Sequence, residues 1–495
     1  MFRGDSQGRA ARSTPFDWRW EIIGASILIT LSILIHRVNH DESQYVAAIA
    51  LMRNGWPYLD FAYLQTPLQP FLYSPLTFIR AGWLMVAVRL VNGTTAIITV
   101  AILGAALSGK VDPRTRLIAL ATLICSESFL LAGTLARNDA LPMAFLAAAI
   151  LVLFKALQKD RAGASFALAG LLLGLAASAK INAAVPAAGA ALFVLLRIRS
   201  IKSRSVAAFL AAGLIGLAPC ATFAILAPDQ FRFDVFTYSL EAPIQWWTSV
   251  GKGHLLSWRG IPTLFSLAGR GVVLVGLAAT AADRRRTDET RLLDFMIAGG
   301  IIAAYLTQPP FPQYLVPLLP PLTIRFAMAL DRFHGQTTRR VILTATLISC
   351  ALGLEGTVHD LVRTRKHGLE LVRAVAIGRK VAMLSNNRLI ATLSPELIAG
   401  ADTKLDRRFV AGPFLFRTSG SLAEQALRYA YSPNWQHLDR ALDEQPPDMV
   451  LVGGEERPQP PLYPHGLDAP LRAWAQSRDY RPIPLGGGFT LFVHP

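Results

Sequence analysis

Two adjacent carboxylates follow the first long apolar stretch of the chain. Asp41 and Glu42 stand just beyond it, and Tyr45 comes three residues after Glu42. Carboxylates at the end of a hydrophobic helix can orient a hydroxyl, accept its proton as a general base, or bind a cation. Asp41 would equally serve as the N-cap of a helix that runs from Tyr45 to Met52. Residue types alone therefore leave a catalytic and a structural interpretation of this pair open.

A second set of ionisable residues stands in short polar turns between later apolar stretches. Arg137-Asn138-Asp139 separates the third stretch from the fourth, and Lys180 follows the fifth. Ionisable groups at such positions are costly, which favours a functional role. Arg89 and Arg259 also flank apolar stretches, but interfacial snorkelling of a long basic side chain explains them equally well. Cations of this kind could bind an anionic phosphate group.

The composition indicates that these residues are set in a membrane protein. Of the 495 residues, 52% are hydrophobic and only 17% are charged, with a mean hydropathy of +0.38. Soluble chains carry about 25% charged residues, so much of this surface must face something other than water. Disorder, collagen-like structure and a coiled coil are excluded. The three cysteines lie far apart without a CxxC pair, which argues against a disulfide scaffold or a zinc ribbon.

Apolar stretches recur along most of the chain. Stretches of roughly 17 to 25 residues can cross the ~30 Å hydrocarbon layer as helices, and we count about eleven. They lie near residues 20–36, 91–108, 117–135, 140–157, 164–179, 182–197, 206–227, 262–281, 293–307, 314–330 and 341–355. The sequence predicts a multi-pass all-α membrane domain over residues 20–355.

The charge distribution predicts the orientation. The net charge of +16 comes mainly from the apolar part of the chain and is not clustered on one folded domain, which argues against nucleic acid as a partner. Basic residues collect on the cytoplasmic side of membrane proteins. They are concentrated here in the connecting segments that would be internal if residues 1–19 were cytoplasmic. The long loop 37–89 is then external.

The composition of the chain changes after residue 355. Charged residues return, and short β-like runs appear at residues 380–384, 448–452 and 489–493, separated by helix-like stretches such as residues 421–429. We therefore expect a small α/β domain over residues 356–495. An odd number of spans would place it outside the cytoplasm.

The first outer loop carries a recognisable motif over residues 40–76. Its elements are Asp41-Glu42, Tyr45, Gly55-Trp56-Pro57-Tyr58, Asp60 and Pro67-Leu68. This pattern resembles that of the GT-C glycosyltransferases, the membrane enzymes that include protein mannosyltransferases and the aminoarabinose and galacturonic acid transferases of lipid A. Further points agree in order over residues 20–330: Arg89-Leu90, Arg137-Asn138-Asp139, Gly174 with Lys180, and Gln313-Tyr314-Leu315 with Pro317 and Pro320-Pro321.

The resemblance implies a GT-C-type helical bundle that works as a glycosyltransferase. Such an enzyme would move a sugar, with inversion, from a polyprenyl-phosphate donor to lipid A, a polysaccharide, another lipid or a protein. The reaction would take place at the outer face of a bacterial inner membrane, with the C-terminal domain in the periplasm. Membrane lipids would surround the protein, and nucleic acid is not expected as a partner.

The resemblance also assigns residues. Asp41, with Glu42, would be the catalytic base or would orient the acceptor, and Asp139 would face it. Since the leaving phosphate is anionic, it needs cationic partners. These would be Arg137, Lys180, Arg89 and Arg259. The substrate cavity would be lined by Tyr45, Tyr58, Asp60, Gln65, Gln313 and Tyr314.

Two features leave the chemistry open. Relatives that use lipid-linked aminoarabinose usually carry a lysine before a Pro-Pro pair in the first loop, where this chain has Gln65-Thr66-Pro67-Leu68. The identity of the donor sugar is therefore open. The resemblance also allows for a divalent cation that bridges Asp41 and Asp139 to phosphate, although many relatives work without one; no other cofactor is implied.

Two other classes of function compete with the enzyme. A transporter or flippase of lipid-linked sugars would use a similar set of helices, but transporters tend to show paired repeats with helices broken at matching places. We find no convincing repeat in this sequence. A scaffold that keeps the fold without activity is the third interpretation.

Overall fold

The computed structural model describes residues 19–158, 163–333, 335–460 and 462–495. The predicted cytoplasmic segment 1–19 lies outside these ranges except for its last residue. Within them the protein is mostly helical, and the strands of its small sheet all lie near the C-terminus.

The helices before the sheet are apolar and joined mainly by short turns. They are α1 (Arg19–Ile35), α2 (Ser43–Leu51), α3 (Leu68–Tyr73), α4 (Trp83–Leu107), α5 (Pro113–Ile124), α6 (Glu127–Thr134), α7 (Ala140–Leu157), α8 (Gly163–Ala179), α9 (Ala184–Leu196), α10 (Ser203–Gly216), α11 (Ala218–Leu226), α12 (Pro228–Arg232), α13 (Tyr238–Ser249), α14 (Ile261–Ala268), α15 (Val272–Ala282), α16 (Asp288–Leu306), α17 (Leu319–Arg332) and α18 (Gln336–His367). Short 3₁₀ turns include His40–Glu42, Ile181–Ala183 and Pro312–Leu318, and a π-helical turn covers Phe233–Thr237.

Each predicted membrane span coincides with a helix or with a broken pair of helices. Within the described residues, 3 helices, α4, α7 and α18, are individually long and apolar enough to cross a membrane. The number rises to as many as 7 if each bent pair counts as one span; the α5–α6 pair, for example, bends by 65°. Helices α8 and α9 are apolar but shorter. Membrane helices are therefore present by length and composition, and the number of crossings stays a prediction.

Helices α8 and α10 pack so closely that only glycine fits between them. A Cβ added at Gly170 would lie 2.0 Å from the carbonyl oxygen of Phe209, and one at Gly174 would lie 2.2 Å from that of Gly213. Small residues four apart allow such backbone contact between membrane helices. This contact fixes the position of α8, and Lys180 follows its last residue directly.

A five-stranded mixed sheet occupies the C-terminal part of the chain. Its strands are β1 (Leu389–Thr392), β2 (Lys404–Leu405), β3 (Met449–Val452), β4 (Arg481–Gly486) and β5 (Phe489–Val493), in the order β2-β1-β3-β5-β4. Strand β1 pairs in parallel with β2 and β3, whereas β5 is antiparallel to both β3 and β4. The accompanying helices are α19 (Glu370–Ser385), α20 (Pro395–Ile398), α21 (Pro413–Phe416), α22 (Gly420–Tyr429), α23 (Leu438–Glu444) and α24 (Ala469–Ser477).

The sequence predicts most, but not all, of these C-terminal elements. The runs at residues 448–452 and 489–493 are strands β3 and β5, and residues 421–429 lie in α22. The predicted strand at residues 380–384 is wrong, because these residues end α19. The buried residues Leu371, Ala374, Ile377 and Val381 follow a helical period through that segment. The predicted domain boundary at residue 356 falls inside α18, which runs on to His367.

The C-terminal region packs against the loop 37–89 and against α13. The backbone N–H of Ala81 donates a hydrogen bond to Asp402 over 2.8 Å. From α13, the hydroxyl of Tyr238 donates to the carbonyl oxygen of Phe414 over 3.0 Å. These contacts place C-terminal side chains beside the residues that follow α1.

Candidate active site

The turn after α1 leaves the Asp41 carboxylate free of any capping role. Asn39 is the N-cap of the 3₁₀ turn His40–Glu42: its side-chain oxygen accepts from the N–H of Asp41 over 3.0 Å. Glu42 completes the capping box by accepting from the N–H of Asn39 over 3.0 Å. The structural alternative for Asp41, an N-cap of the next helix, does not apply either, because Glu42 occupies the N-cap position of α2 and no side chain caps that helix.

Asp41, Arg137, Asp139 and Lys180 form one chain of ion pairs. Arg137 pairs through Nη1 with Asp41 and through Nε with Asp139, the latter at 3.0 Å. The Nζ of Lys180 pairs with the second carboxylate oxygen of Asp139. We name these four residues the acid–base cluster. Asp41 is its most accessible member, with 26% of its side chain exposed, against 1% for Asp139.

Three segments of the chain meet to build this cluster. Asp41 follows α1, Arg137 and Asp139 lie between α6 and α7, and Lys180 follows α8. Asn92 of α4 fixes the middle segment by donating to the carbonyl oxygen of Arg137 over 2.7 Å. The charged side chains thus lie at helix ends, next to the apolar helices that position them.

The charges of the acid–base cluster stabilise one another. Burial alone would raise the pKa of Asp41, but Arg137, together with the charges of His40 and Arg417, outweighs it and lowers that pKa below its ordinary value. Burial also opposes ionisation of Asp139, and Lys180 with Arg137 outweighs it in the same way. For Lys180, burial dominates over the attraction of Asp139, and its pKa is lowered. Both aspartates are therefore anionic at neutral pH.

Glu42 and Arg89 form a separate buried pair. Both side chains are 0% exposed, and the guanidinium bonds both carboxylate oxygens, at 2.8 and 2.6 Å. The remaining Arg89 hydrogens go to backbone carbonyl oxygens, including that of Arg37 at 2.8 Å, and Glu42 also accepts from the N–H of Ala136 over 2.6 Å. Every polar group of this pair is engaged, so the structure places neither residue in position to contact a substrate.

Arg259 also lies apart from the acid–base cluster. Its side chain is exposed, and its guanidinium carbon stands 5.6 Å from the centre of the Trp258 ring. Among the described residues, no hydrogen bond or ion pair joins it to the cluster. This placement fits a basic side chain at the membrane–water interface better than a ligand of the phosphate group.

Three of the predicted cavity residues lie beside the acid–base cluster. Gln65 accepts a hydrogen bond from Asn138, between Arg137 and Asp139, over 3.3 Å. Tyr45 is buried and Tyr314 is half-buried, and both lie close enough to the cluster to interact with its charges. These three side chains surround the cluster with an amide and two phenols.

The other three predicted cavity residues are placed less directly. The hydroxyl of Tyr58 donates to the carbonyl oxygen of Gln65, so Tyr58 supports the loop. Asp60 accepts from the N–H of Trp56 over 2.7 Å and faces Arg407 at 3.6 Å, on the side of the C-terminal region. Gln313 is buried in the turn Pro312–Leu318, next to Tyr314.

A divalent metal ion does not fit the arrangement of carboxylates. Among the described residues, no group of 3 or more His, Cys, Asp or Glu side chains is arranged to hold a metal ion. Asp41 and Asp139 are bridged by the Arg137 guanidinium instead.

A cavity of about 1120 Å³ opens next to this turn. It is lined by His36 to His40, by Trp246 and Trp247 of α13, and by Glu396 and Glu455 of the C-terminal region. The cavity therefore lies between the segment that follows α1, helix α13 and the C-terminal region.

Three residues near Asp41 are not predicted from the sequence as site residues. His40 lies 3.5 Å from Asp41 and 3.4 Å from Glu455, and Arg417 lowers the pKa of Asp41 by its charge. Glu455 and Arg417 belong to the C-terminal region, where no motif marks them. His40 stands directly before Asp41, and that adjacency is the only signal the sequence offers.

Comparisons with known proteins agree with this picture. A family model described as dolichyl-phosphate-mannose-protein mannosyltransferase matches residues 65–225. The structure is similar to ArnT from Cupriavidus metallidurans bound to undecaprenyl phosphate, with a TM-score of 0.57 and 14% identity over 96% of this chain and 98% of ArnT. It is also similar to the arabinofuranosyltransferase AftD from Mycobacteria, with a TM-score of 0.52 and 15% identity over 97% of this chain and 42% of AftD. No curated protein sequence matched.

These findings confirm the resemblance indicated by the first-loop motif. ArnT and AftD are GT-C glycosyltransferases, and the family match covers the segment that holds Arg137, Asp139 and Lys180. Identities of this size establish the fold alone. The chain therefore has the fold of the GT-C membrane glycosyltransferases, as its sequence motif predicts.

Proposed function

We propose that this protein is a membrane glycosyltransferase that uses a polyprenyl-phosphate sugar as donor. The observation that carries the proposal is the acid–base cluster, in which an accessible carboxylate, Asp41, is held by Arg137 beside Asp139 and Lys180. The solved structure of ArnT contains undecaprenyl phosphate, a lipid of the proposed class.

The proposed reaction requires both signs of charge. An acceptor hydroxyl attacks the anomeric carbon, and the bond from that carbon to the phosphate oxygen breaks with inversion. The hydroxyl proton passes to the carboxylate of Asp41. The polyprenyl phosphate leaves with an additional negative charge, which Arg137 and Lys180 stabilise. Asp139 keeps these two cations in place.

The same proposal includes the topology. We infer about eleven membrane helices, with residues 1–19 cytoplasmic and residues 356–495 periplasmic, from apolar length and the distribution of basic residues. The ends of α1, α6 and α8 meet at the acid–base cluster, which supports their lying on one side of the membrane. The site would then open at the outer face of a bacterial inner membrane, towards an envelope acceptor such as lipid A, a polysaccharide, another lipid or a protein.

A transporter of lipid-linked sugars is the second candidate. Within the part of the chain that the structure describes, 4 pairs of helices are bent by more than 40° at short breaks, and broken helices are common in transporters. The two candidates differ in whether a glycosidic bond is made. Only glycosyl transfer requires a group that accepts the proton of an attacking hydroxyl.

Mass spectrometry of membrane lipids and envelope glycans tests the proposal. Cells with the wild-type protein should contain a glycan or glycolipid that is absent from cells without it, and cells with Asp41→Asn should lack it at equal protein level. If the Asp41→Asn cells keep that product, the enzymatic proposal is wrong and the transporter is favoured. If no glycan depends on the protein at all, both candidates fail.

A further inference from the structure

His40 stands between the acid–base cluster and the C-terminal region. Its Nε2 lies 3.5 Å from Asp41, and its Nδ1 lies 3.4 Å from Glu455. The ring is also held edge-on against Phe414, with 5.7 Å between the ring centroids. One imidazole therefore contacts a carboxylate at each of its two nitrogens, and the second carboxylate belongs to a distant part of the sequence.

The C-terminal partner is held rigidly. Glu455 follows β3 and is 6% exposed. Its N–H and that of Gly453 both donate to the carboxylate of Asp468, at 2.9 and 2.7 Å. Its carbonyl oxygen accepts from the N–H of Leu467 over 2.7 Å. A side chain on such a clamped loop can fix the position of whatever it contacts.

Charges alternate in sign along this line of contacts. The acidic residue Glu455 faces His40, His40 faces the acidic residue Asp41, and Asp41 faces Arg137. The carboxylates of Glu455 and Asp41 both face the side chain at position 40. Without a cation there, nothing would offset the repulsion between them.

We propose that Glu455, acting through His40, positions the Asp41 carboxylate, so that the C-terminal region is part of the site. His40 and Glu455 are positioning residues under this proposal, which rests on the proposed function. It assigns the C-terminal region a specific role in transfer, beyond covering the site.

The proposal requires that His40 be protonated where the enzyme works. The charged groups that act on it are Asp41 and Glu455, which favour the cation, and Arg417, which opposes it. Burial alone would lower the pKa of His40, but the contact with Glu455 and the charge of Asp41 outweigh it and raise the pKa above 6.5. Support for Asp41 is therefore complete at low pH and is lost as pH rises through the pKa of His40.

Transfer in spheroplasts tests the proposal, because their outer face is open to the buffer. The product is the glycan whose mass depends on the wild-type protein. We expect Glu455→Gln and His40→Gln each to lower the rate about tenfold, since a displaced catalytic group loses rate steeply. The double variant should lose no more than either single one, because residues that act as a unit are not additive. Glu456→Gln is the matched control: Glu456 is the next residue, pairs with Arg472, and should stay within about twofold of wild type.

Two conservative variants separate positioning from folding. Glu455→Asp keeps the charge and should recover most of the rate. His40→Lys keeps a cation that does not titrate near neutrality, so its transfer rate should not show the fall with rising pH that the wild type shows as His40 loses its proton. A purely structural role for His40 would leave the two pH profiles parallel.

Three outcomes would overturn the proposal. Equal rates for Glu455→Gln and Glu456→Gln, in cells whose Asp41→Asn variant is inactive, would refute it while leaving the proposed function intact. Losses that multiply in the double variant would show that His40 and Glu455 act separately. Absence of any product in wild-type spheroplasts would overturn the proposed function, and this inference with it.

Discussion

Asp41 and Asp139 are joined through a single cation. The guanidinium of Arg137 pairs with one carboxylate through Nη1 and with the other through Nε, at the meeting point of two segments that are far apart in sequence. Without that guanidinium the two carboxylates would repel one another, which favours protonation of one of them. The shared arginine allows both to remain ionised, and Asp41 keeps the more exposed side chain of the two.

The buried pair of Glu42 and Arg89 predicts a large effect on stability. Arg89→Met should destabilise the fold by about 3–5 kcal/mol, because it leaves an uncompensated buried carboxylate. The double variant Glu42→Gln with Arg89→Met should be more stable than Arg89→Met alone, since the lone charge is gone. Thermal unfolding in detergent measures both. A double variant that is less stable than Arg89→Met would contradict the structural role that we assign to the pair.

Lys180 and Arg259 should differ in their contribution to phosphate binding. Lys180→Met should weaken the binding of undecaprenyl phosphate to the purified protein by roughly tenfold to a hundredfold, since a hydrogen bond to a charged group contributes about 1.5–3 kcal/mol. Arg259→Met is the control, because the structure places Arg259 on an exposed face. Titration with the lipid, followed by intrinsic fluorescence, gives both dissociation constants. Equal constants for the two variants would remove Lys180 from the phosphate site.

The contact between α8 and α10 predicts a steric effect at one glycine but not at another. Gly174→Ala should destabilise by about 1–3 kcal/mol, because its Cβ would meet a backbone carbonyl oxygen and the helices would have to separate. Gly163→Ala, in the first turn of the same helix, has its nearest neighbour at 4.0 Å and should be neutral or slightly stabilising. The unfolding midpoints of the two variants, measured in detergent, test this prediction. Equal midpoints would mean that α8 does not approach α10 this closely.

We expect the stability of the fold to depend on pH because of the buried carboxyl group of Asp468. Burial, partly offset by the N–H groups of Gly453 and Glu455, raises the pKa of Asp468 to about 6. Because the folded state holds this proton more tightly than the unfolded chain, stability should fall as pH rises from about 4 to about 6 and then level off, a change of about 3 kcal/mol.

Asp468→Asn should remove that part of the pH dependence. The control is Asp439→Asn, which changes an exposed acid on α23 and should keep the wild-type profile. Unfolding midpoints measured between pH 4 and pH 8 provide the comparison. A profile for Asp468→Asn that follows the wild type throughout would show that Asp468 ionises freely in the folded protein.

The family resemblance implies that Asp41 faces Asp139 near Arg137 and Lys180, and in the structure these four side chains form one chain of ion pairs. Apolar periodicity alone predicts only that each of them lies beside the end of an apolar helix. Side-chain pairing was not predictable in this way. Nothing in the spacing of Glu42 and Arg89 shows that they satisfy one another rather than a substrate.

The contribution of the C-terminal region was even less accessible to sequence reasoning. Glu455 reaches His40 only because strand β3 ends beside the turn after α1, and that placement depends on tertiary packing. The predicted strand at residues 380–384 is wrong for a different reason. A five-residue window is too short to reveal the helical period of α19, which begins at Glu370.

Transfer of radiolabelled sugar from membrane lipid to envelope acceptor, measured for Asp41→Asn, tests the central claim most directly. Asp229→Asn is the control, since Asp229 is an exposed acid paired with Arg232 on α12. We predict that Asp41→Asn lowers the rate at least about a hundredfold at unchanged protein level, as expected for loss of a positioned general base, and that the control keeps the wild-type rate. A rate for Asp41→Asn equal to that of the control would contradict the account.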